Sequence, residues 1–195
     1  MVPLAPSARW LACFLKSISL EEPYDRAVVE ANEKMAQPKD FARLSLVDNH
    51  SDPLVLSVAV EGGGRQLRNL DKIPDLKLSN HGDWRKVHLG AFESILGKTP
   101  FYRHFEDSLR KVYDDKDITG LKNFNSAIFN IIDSFILKDI RQGSLAGFFC
   151  NPLLMQRGSE MASKIHPDSS VIQAMANFGK ESLLGFLALN ILQPK

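Results

Sequence analysis

The spacing of apolar residues changes at Asp83, and this change constrains the fold more than any single motif. Downstream of it, Trp84, Val87, Ala91 and Ile95 recur at helical intervals, with His88 and Phe92 adjoining the same face. Asp83 predicts the N-cap of that helix, because its carboxylate can accept first-turn N–H groups, and Gly97 predicts the stop. Thr99-Pro100 predicts the next start, with a buried stripe of Phe101, Phe105, Leu109 and Val112. Ile118, Leu121, Phe124, Ile128, Ile131 and Phe135 predict a third, longer helix. Ser170 with Gln173 three residues on predicts a capping box and a short helix ending near Gly179, and Glu181 to Leu192 predicts the last helix.

Upstream of Asp83 the apolar runs are short and broken by turn residues. Ser7 to Lys16 carries Trp10, Cys13 and Phe14 at helical spacing and predicts a short helix. Tyr24 to Glu30 encloses Ala27-Val28-Val29 and predicts a buried strand. Phe41 to Val47 and Leu54 to Val60 flank the polar cluster Asp48 to Pro53, the pattern of a hairpin. Gly62-Gly63-Gly64 opens a longer excursion, and Pro74 marks a break before an edge strand at Leu76 to Leu78. The fold class expected is α/β, with a mixed sheet in the N-terminal half covered by helices and a helical C-terminal half. Residues 1–195 read as one domain, strand-rich over 1–80 and helical over 83–195, and 195 residues can bury a real core.

Charge removes several function classes. With 24 basic against 23 acidic residues there is no electrostatic footprint for nucleic acid. There is no polybasic stretch for anionic lipid, and the longest apolar run, Leu183 to Leu192, is too short to span a bilayer. Leu11-Ala12-Cys13 faintly resembles a lipoprotein cleavage site, but Pro3, Pro6 and Arg9 precede it in place of an apolar run. Cys13 and Cys150 both sit among apolar neighbours and read as reduced core thiols. The expectation is a cytoplasmic chain. No motif designates a cofactor. His81, Asp83 and His88 lack the compact spacing of a metal site, so no metal is expected.

The order of several blocks resembles the WbqC-like family of bacterial proteins over nearly the whole chain. Leu4-Ala5-Pro6 and Trp10 are similar to the family's opening, and Ala27 to Glu33 to its V-x-I-E-x-x-E strand. Trp84 and His88 resemble W-x-x-x-H, Thr99-Pro100-Phe101-Tyr102 resembles T-P-F-F/Y, and Leu121 with Asn125 resembles L-x-x-x-N. Ser170 to Gly179 resembles S-I-x-D-x-L-F-x-x-G. Departures accompany the match. Gln37 stands where the pattern has lysine, Ala42 where it has asparagine, and Gln173 where it has an acid, while Arg43 is retained. Val58-Ala59-Val60 replaces V-P-V.

The site implied is a cleft between the strand layer and the Trp84 helix. His88 is the catalytic candidate, an acid–base or orienting group one helical turn from Trp84. The bland alternative packs its imidazole beside the indole with both nitrogens satisfied. Arg43, Trp84 and Glu30 are the substrate-binding candidates. Arg43 offers a guanidinium fork for an anion, against the alternative of a solvated strand-edge arginine. Glu30 with Glu33 forms a pair of carboxylates, against one capping and one exposed residue. Gly62-Gly63-Gly64 lacks the Lys-Ser/Thr of a phosphate loop and reads as a flexible turn.

The resemblance implies association with bacterial surface-polysaccharide gene sets, hence an enzyme carrying out acyl or aminoacyl transfer to a sugar amine. A catalytically eroded homologue binding a small anionic ligand or nucleotide-sugar is the second class, and a protein-interaction subunit the third. A polar pocket at Arg43 separates the first two from the third, which needs a large exposed apolar patch.

Overall fold

The computed structural model describes residues 1–19, 23–48, 52–68, 70–137, 151–166 and 169–192. Helix α1 (Ala8–Ser19) forms where expected, because Trp10, Leu11, Phe14 and Leu15 share one buried face and Trp10 stacks on Phe14 at 5.4 Å. The expected strand at Tyr24 to Glu30 is instead part of a helix, α2 (Tyr24–Met35). Ala27, Val28 and Ala31 point inward while Val29 is 52% exposed. Three consecutive apolar residues cannot set a period, and the alanines, glutamates and lysine around them favour the helix.

A 3-10 turn (Pro38–Phe41) leads into the hairpin β1 (Arg43–Leu46) and β2 (Leu54–Ser57), paired antiparallel from Arg43↔Ser57 to Leu46↔Leu54. Leu44, Leu46 and Leu56 fill its inner face. The α/β expectation is met by this small two-stranded sheet in the N-terminal half and helices in the C-terminal half. Leu76 to Leu78 contributes isolated bridges, Val60↔Leu78 and Lys77↔Gly120, rather than a named strand.

Helix α3 (Trp84–Leu96) is turned by one residue from the expected face. Trp84, His88, Phe92 and Leu96 are buried, while Val87 is 57% exposed. Both faces have helical spacing, and the core takes the one with three large rings. Asp83 is not a side-chain cap; it adopts a left-handed conformation, φ 45°, as the last residue of a 3-10 turn (His81–Asp83). Thr99 closes α3 rather than starting the next helix, since its hydroxyl donates to the Leu96 carbonyl at 2.6 Å. Helix α4 (Glu106–Asp114) begins later, burying Leu109 and Tyr113. Helix α5 (Leu121–Ile132) continues into a π-helical turn at Asp133–Leu137, and carries Leu121, Phe124 and Ile128 inward. Phe105 is 3% exposed as its stripe requires, and Phe101 is half-buried.

Helices α6 (Pro152–Lys164) and α7 (Val171–Leu192) pack on each other, and α7 packs on α1. Gly179, at φ 70° and ψ −176°, breaks α7 into the two expected helices. Ser170 caps it at 3.3 Å from the Gln173 N–H, but the Gln173 side chain turns away to β1. The core is one connected cluster from Val2 to Leu187. Among the described residues no helix is long and apolar enough to cross a membrane. Cys13 is partly exposed, and Cys150 lies outside the described residues.

Candidate functional site

Three chain segments distant in sequence meet at a cavity of about 320 Å³: residues 3–7 before α1, residues 39–45 at the entry to β1, and Ser169-Ser170 before α7. Backbone hydrogen bonds hold them together. Leu4 N donates to Asp40 O at 2.9 Å, Val171 N to Pro6 O at 2.8 Å, and Ser170 N to Ser45 O at 3.3 Å. The buried amide of Asn125 adds bonds to the carbonyls of Val2 and Phe41. Inside this frame Ala5 sits at φ 46°, left-handed and directly before a proline. Such a conformation costs about 1–3 kcal/mol and persists where surrounding contacts impose it.

The wall is polar and unevenly charged. Lys39 and Arg43 are exposed, and Asp40 is half-buried with one carboxylate oxygen accepting the Gln37 N–H at 2.8 Å. Both adjoining helices begin here, α1 after Ser7 and α7 after Ser170, the two serines forming an antiparallel bridge. Ser7 Oγ accepts the Trp10 N–H at 3.2 Å, so the α1 start is capped from the pocket wall. Helix starts carry partial positive charge, which adds to the two side-chain cations. Met35 and Val55, about half exposed, form an apolar lip. The arrangement suits an anion with a small apolar or sugar-sized body attached.

Of the expected site residues, Arg43 lines this cavity and the other three are placed elsewhere. His88 is 1% exposed, with Nδ1 at 3.1 Å from the Tyr113 hydroxyl and Nε2 at 3.1 Å from the Ser57 carbonyl. Burial lowers its pKa from 6.5 to about 4, with the Ser57 carbonyl opposing the shift. Arg43 and His88 both meet Ser57, one as its cross-strand neighbour and one through its carbonyl. Only Arg43 opens to the cavity, so the cleft expected between hairpin and α3 is closed at His88. Trp84 is buried, its indole N–H donating to Ser79 O at 2.7 Å, and its edge borders a separate groove between α3 and α4. Glu30 accepts from Ser17 Oγ at 2.6 Å and pairs with Lys34 beside a third hollow at α1 and α2. Glu33, three residues further along α2, is exposed. No group of His, Cys, Asp and Glu able to hold a metal occurs among the described residues.

Residues 22–138 match the model of the WbqC-like protein family. The chain belongs to this family. No curated protein matches it, and no solved structure does. Leu4-Ala5-Pro6 and Ser169-Ser170 fall outside the matched stretch yet belong to two of the three segments around the cavity. Two of the departures from the WbqC-like pattern, Ala42 and Gln173, have structural explanations. Ala42 is 1% exposed and accepts the Val58 N–H, leaving little room for asparagine. At Gln37 the bond to Asp40 is made by the backbone N–H, so nothing in the structure explains the loss of lysine there; the pocket's lysine stands two residues on, at Lys39. At Gln173 the amide accepts the Val47 N–H at 2.8 Å and donates to the Val47 carbonyl, a pairing no ionised acid can complete. The sequence reading took Ser7 and Ser170 as helix starts and not as site residues, and passed over Lys39 and Asp40. For Lys39 and Asp40 the signal in the sequence was nearness to Gln37 and Arg43.

Proposed function

We propose that this WbqC-like chain is a bacterial surface-polysaccharide-associated enzyme that transfers an acyl or aminoacyl group to a sugar amine. In this reading it holds the anionic part of a nucleotide-sugar or sugar phosphate in the cavity at Arg43. The observation that carries the reading is the convergence of Lys39 and Arg43 with the starts of α1 and α7 on one polar cavity. A guanidinium fork and helix starts both favour phosphate or carboxylate oxygens. A cavity of about 320 Å³ is in the range of small-ligand sites. A cytoplasmic location accompanies the reading.

The burial of His88 supports a second reading, a homologue that binds the same class of ligand without turnover. An amine acceptor must lose a proton as the new C–N bond forms, and a neutral imidazole already bonded at both nitrogens is badly placed to take it.

Calorimetry with a panel of nucleotides, nucleotide-sugars and sugar phosphates tests the binding claim. Arg43→Ala is expected to weaken binding by about 10- to 150-fold, the loss of one charge-assisted contact of about 1.5–3 kcal/mol. Absence of any anion binding, or indifference to both Arg43→Ala and Lys39→Ala, overturns it. Mass-spectrometric detection of an acylated amino sugar separates the enzyme from the non-catalytic homologue.

A further inference from the structure

We infer that the Arg43 cavity selects ligands that carry an amine as well as an anion, with Asp40 receiving the ammonium group. This deepens the anion-site reading above and rests on it. Three charged side chains line the cavity, and they do not neutralise one another. Among the described residues neither Lys39 nor Arg43 forms an ion pair, although both are close in sequence to Asp40. Here the carboxylate is instead held in place from its own backbone side.

The hold is specific. Asp40 Oδ2 accepts the Gln37 N–H at 2.8 Å, while Asp40 N donates to Gln37 O at 2.8 Å. The Asp40 carbonyl also accepts Leu4 N at 2.9 Å, which ties the same residue to the strained Leu4-Ala5-Pro6 turn. Asp40 is therefore fixed at main chain and side chain alike. An ionised carboxylate has about four acceptor sites, and Gln37 uses one. Among the described residues no other donor reaches the second oxygen, Oδ1.

A ligand bearing only negative charge meets Lys39 and Arg43 on a wall that also carries the Asp40 carboxylate. A ligand bearing an anion and, a few bonds away, a protonated amine meets opposite charge at both ends. An amino sugar phosphate has this distribution, whereas the corresponding hydroxyl sugar phosphate lacks it. The pocket's charge pattern thus distinguishes two molecules of almost the same size and shape.

The test compares glucosamine 6-phosphate with glucose 6-phosphate by calorimetry on the full chain, at a slightly acidic pH where the amine is protonated. The amine-bearing compound is expected to bind at least tenfold more tightly to the wild type. Asp40→Asn keeps an oxygen for the Gln37 N–H, so the turn survives, and should bring the two affinities together. Arg43→Ala should weaken both. Equal wild-type affinities, or a preference that persists in Asp40→Asn, overturns the amine selectivity and leaves the anion site standing. Failure of both sugar phosphates and of inorganic phosphate to bind overturns the anion site and the selectivity together.

Discussion

The ring of Phe101 lies against the α-carbon of Gly179, so closely that a methyl group there would sit 2.8 Å from Phe101 Cζ. The Phe101 N–H also donates to Ala176 O at 3.1 Å, so the segment after α3 is fastened to the first half of α7 by backbone and ring together. Gly179→Ala introduces both a clash and a residue at φ 70°, ψ −176°, a region open to glycine almost alone. Backbone strain by itself should remove about 1–3 kcal/mol of stability, and urea unfolding should show a lower midpoint with an unchanged slope.

Gln173 gives a second prediction. Its amide satisfies both backbone groups of Val47, and Gln173→Glu, which restores the acid of the family pattern, keeps the acceptor and loses the donor. The Val47 carbonyl then faces a carboxylate. A loss of about 1–3 kcal/mol in unfolding free energy is expected, reversed on protonating the introduced acid. Equal stability of the two proteins at neutral pH would remove the structural role assigned here to glutamine.

His88 makes stability depend on pH. Its folded pKa, about 4, lies below the unfolded value of 6.5, so the unfolded chain takes up the proton first as the solution is acidified. The stabilisation is complete above about pH 6.5 and is lost as pH falls towards 4, with a ceiling of about 3 kcal/mol. Thermal melts between these limits should show a falling Tm, with a shallower slope in His88→Gln. An identical slope in the variant would assign the acid sensitivity to other groups.

Arg85 closes the end of α4. Its guanidinium donates to Tyr113 O at 2.9 Å, Ile118 O at 3.0 Å, Asp115 O at 3.1 Å and, more weakly, Val112 O, while lying 4.9 Å from the Trp84 ring. Lysine retains the charge but cannot spread donors over this arc. Arg85→Lys should therefore destabilise by about 1–3 kcal/mol, visible as early hydrogen exchange at residues 113–121. Wild-type exchange there in the variant would contradict the capping role.

The legible parts of this fold were those with a long repeat. The α5 stripe Leu121, Phe124 and Ile128 and the kink at Gly179 follow from residue spacing and turn chemistry over many positions. Tyr24 to Glu30 was misread because a run of three apolar residues fits strand and helix equally. The α3 face was misjudged because Val87 and His88 are adjacent, and spacing alone ranks the apolar residue above the imidazole that Tyr113 and Ser57 accommodate. At the site, Arg43 was legible from the family pattern. Lys39, Asp40, Ser7 and Ser170 were not, because their proximity depends on tertiary pairing rather than on any local spacing.

That pairing has a consequence for how the chain is made. Val2 and Phe41 wait for Asn125, which for Val2 lies 123 residues downstream, and Val47 waits for Gln173, 126 residues downstream. At ordinary rates of translation, 126 residues take roughly 6–25 s to emerge, far longer than a hairpin needs to form. During that interval β1 leaves the ribosome with its outer edge uncovered, and the left-handed turn at Ala5 has no frame to impose it. The cavity is therefore among the last features of the molecule to exist, and a nascent chain released before Ser169 carries the Arg43 guanidinium but no pocket around it.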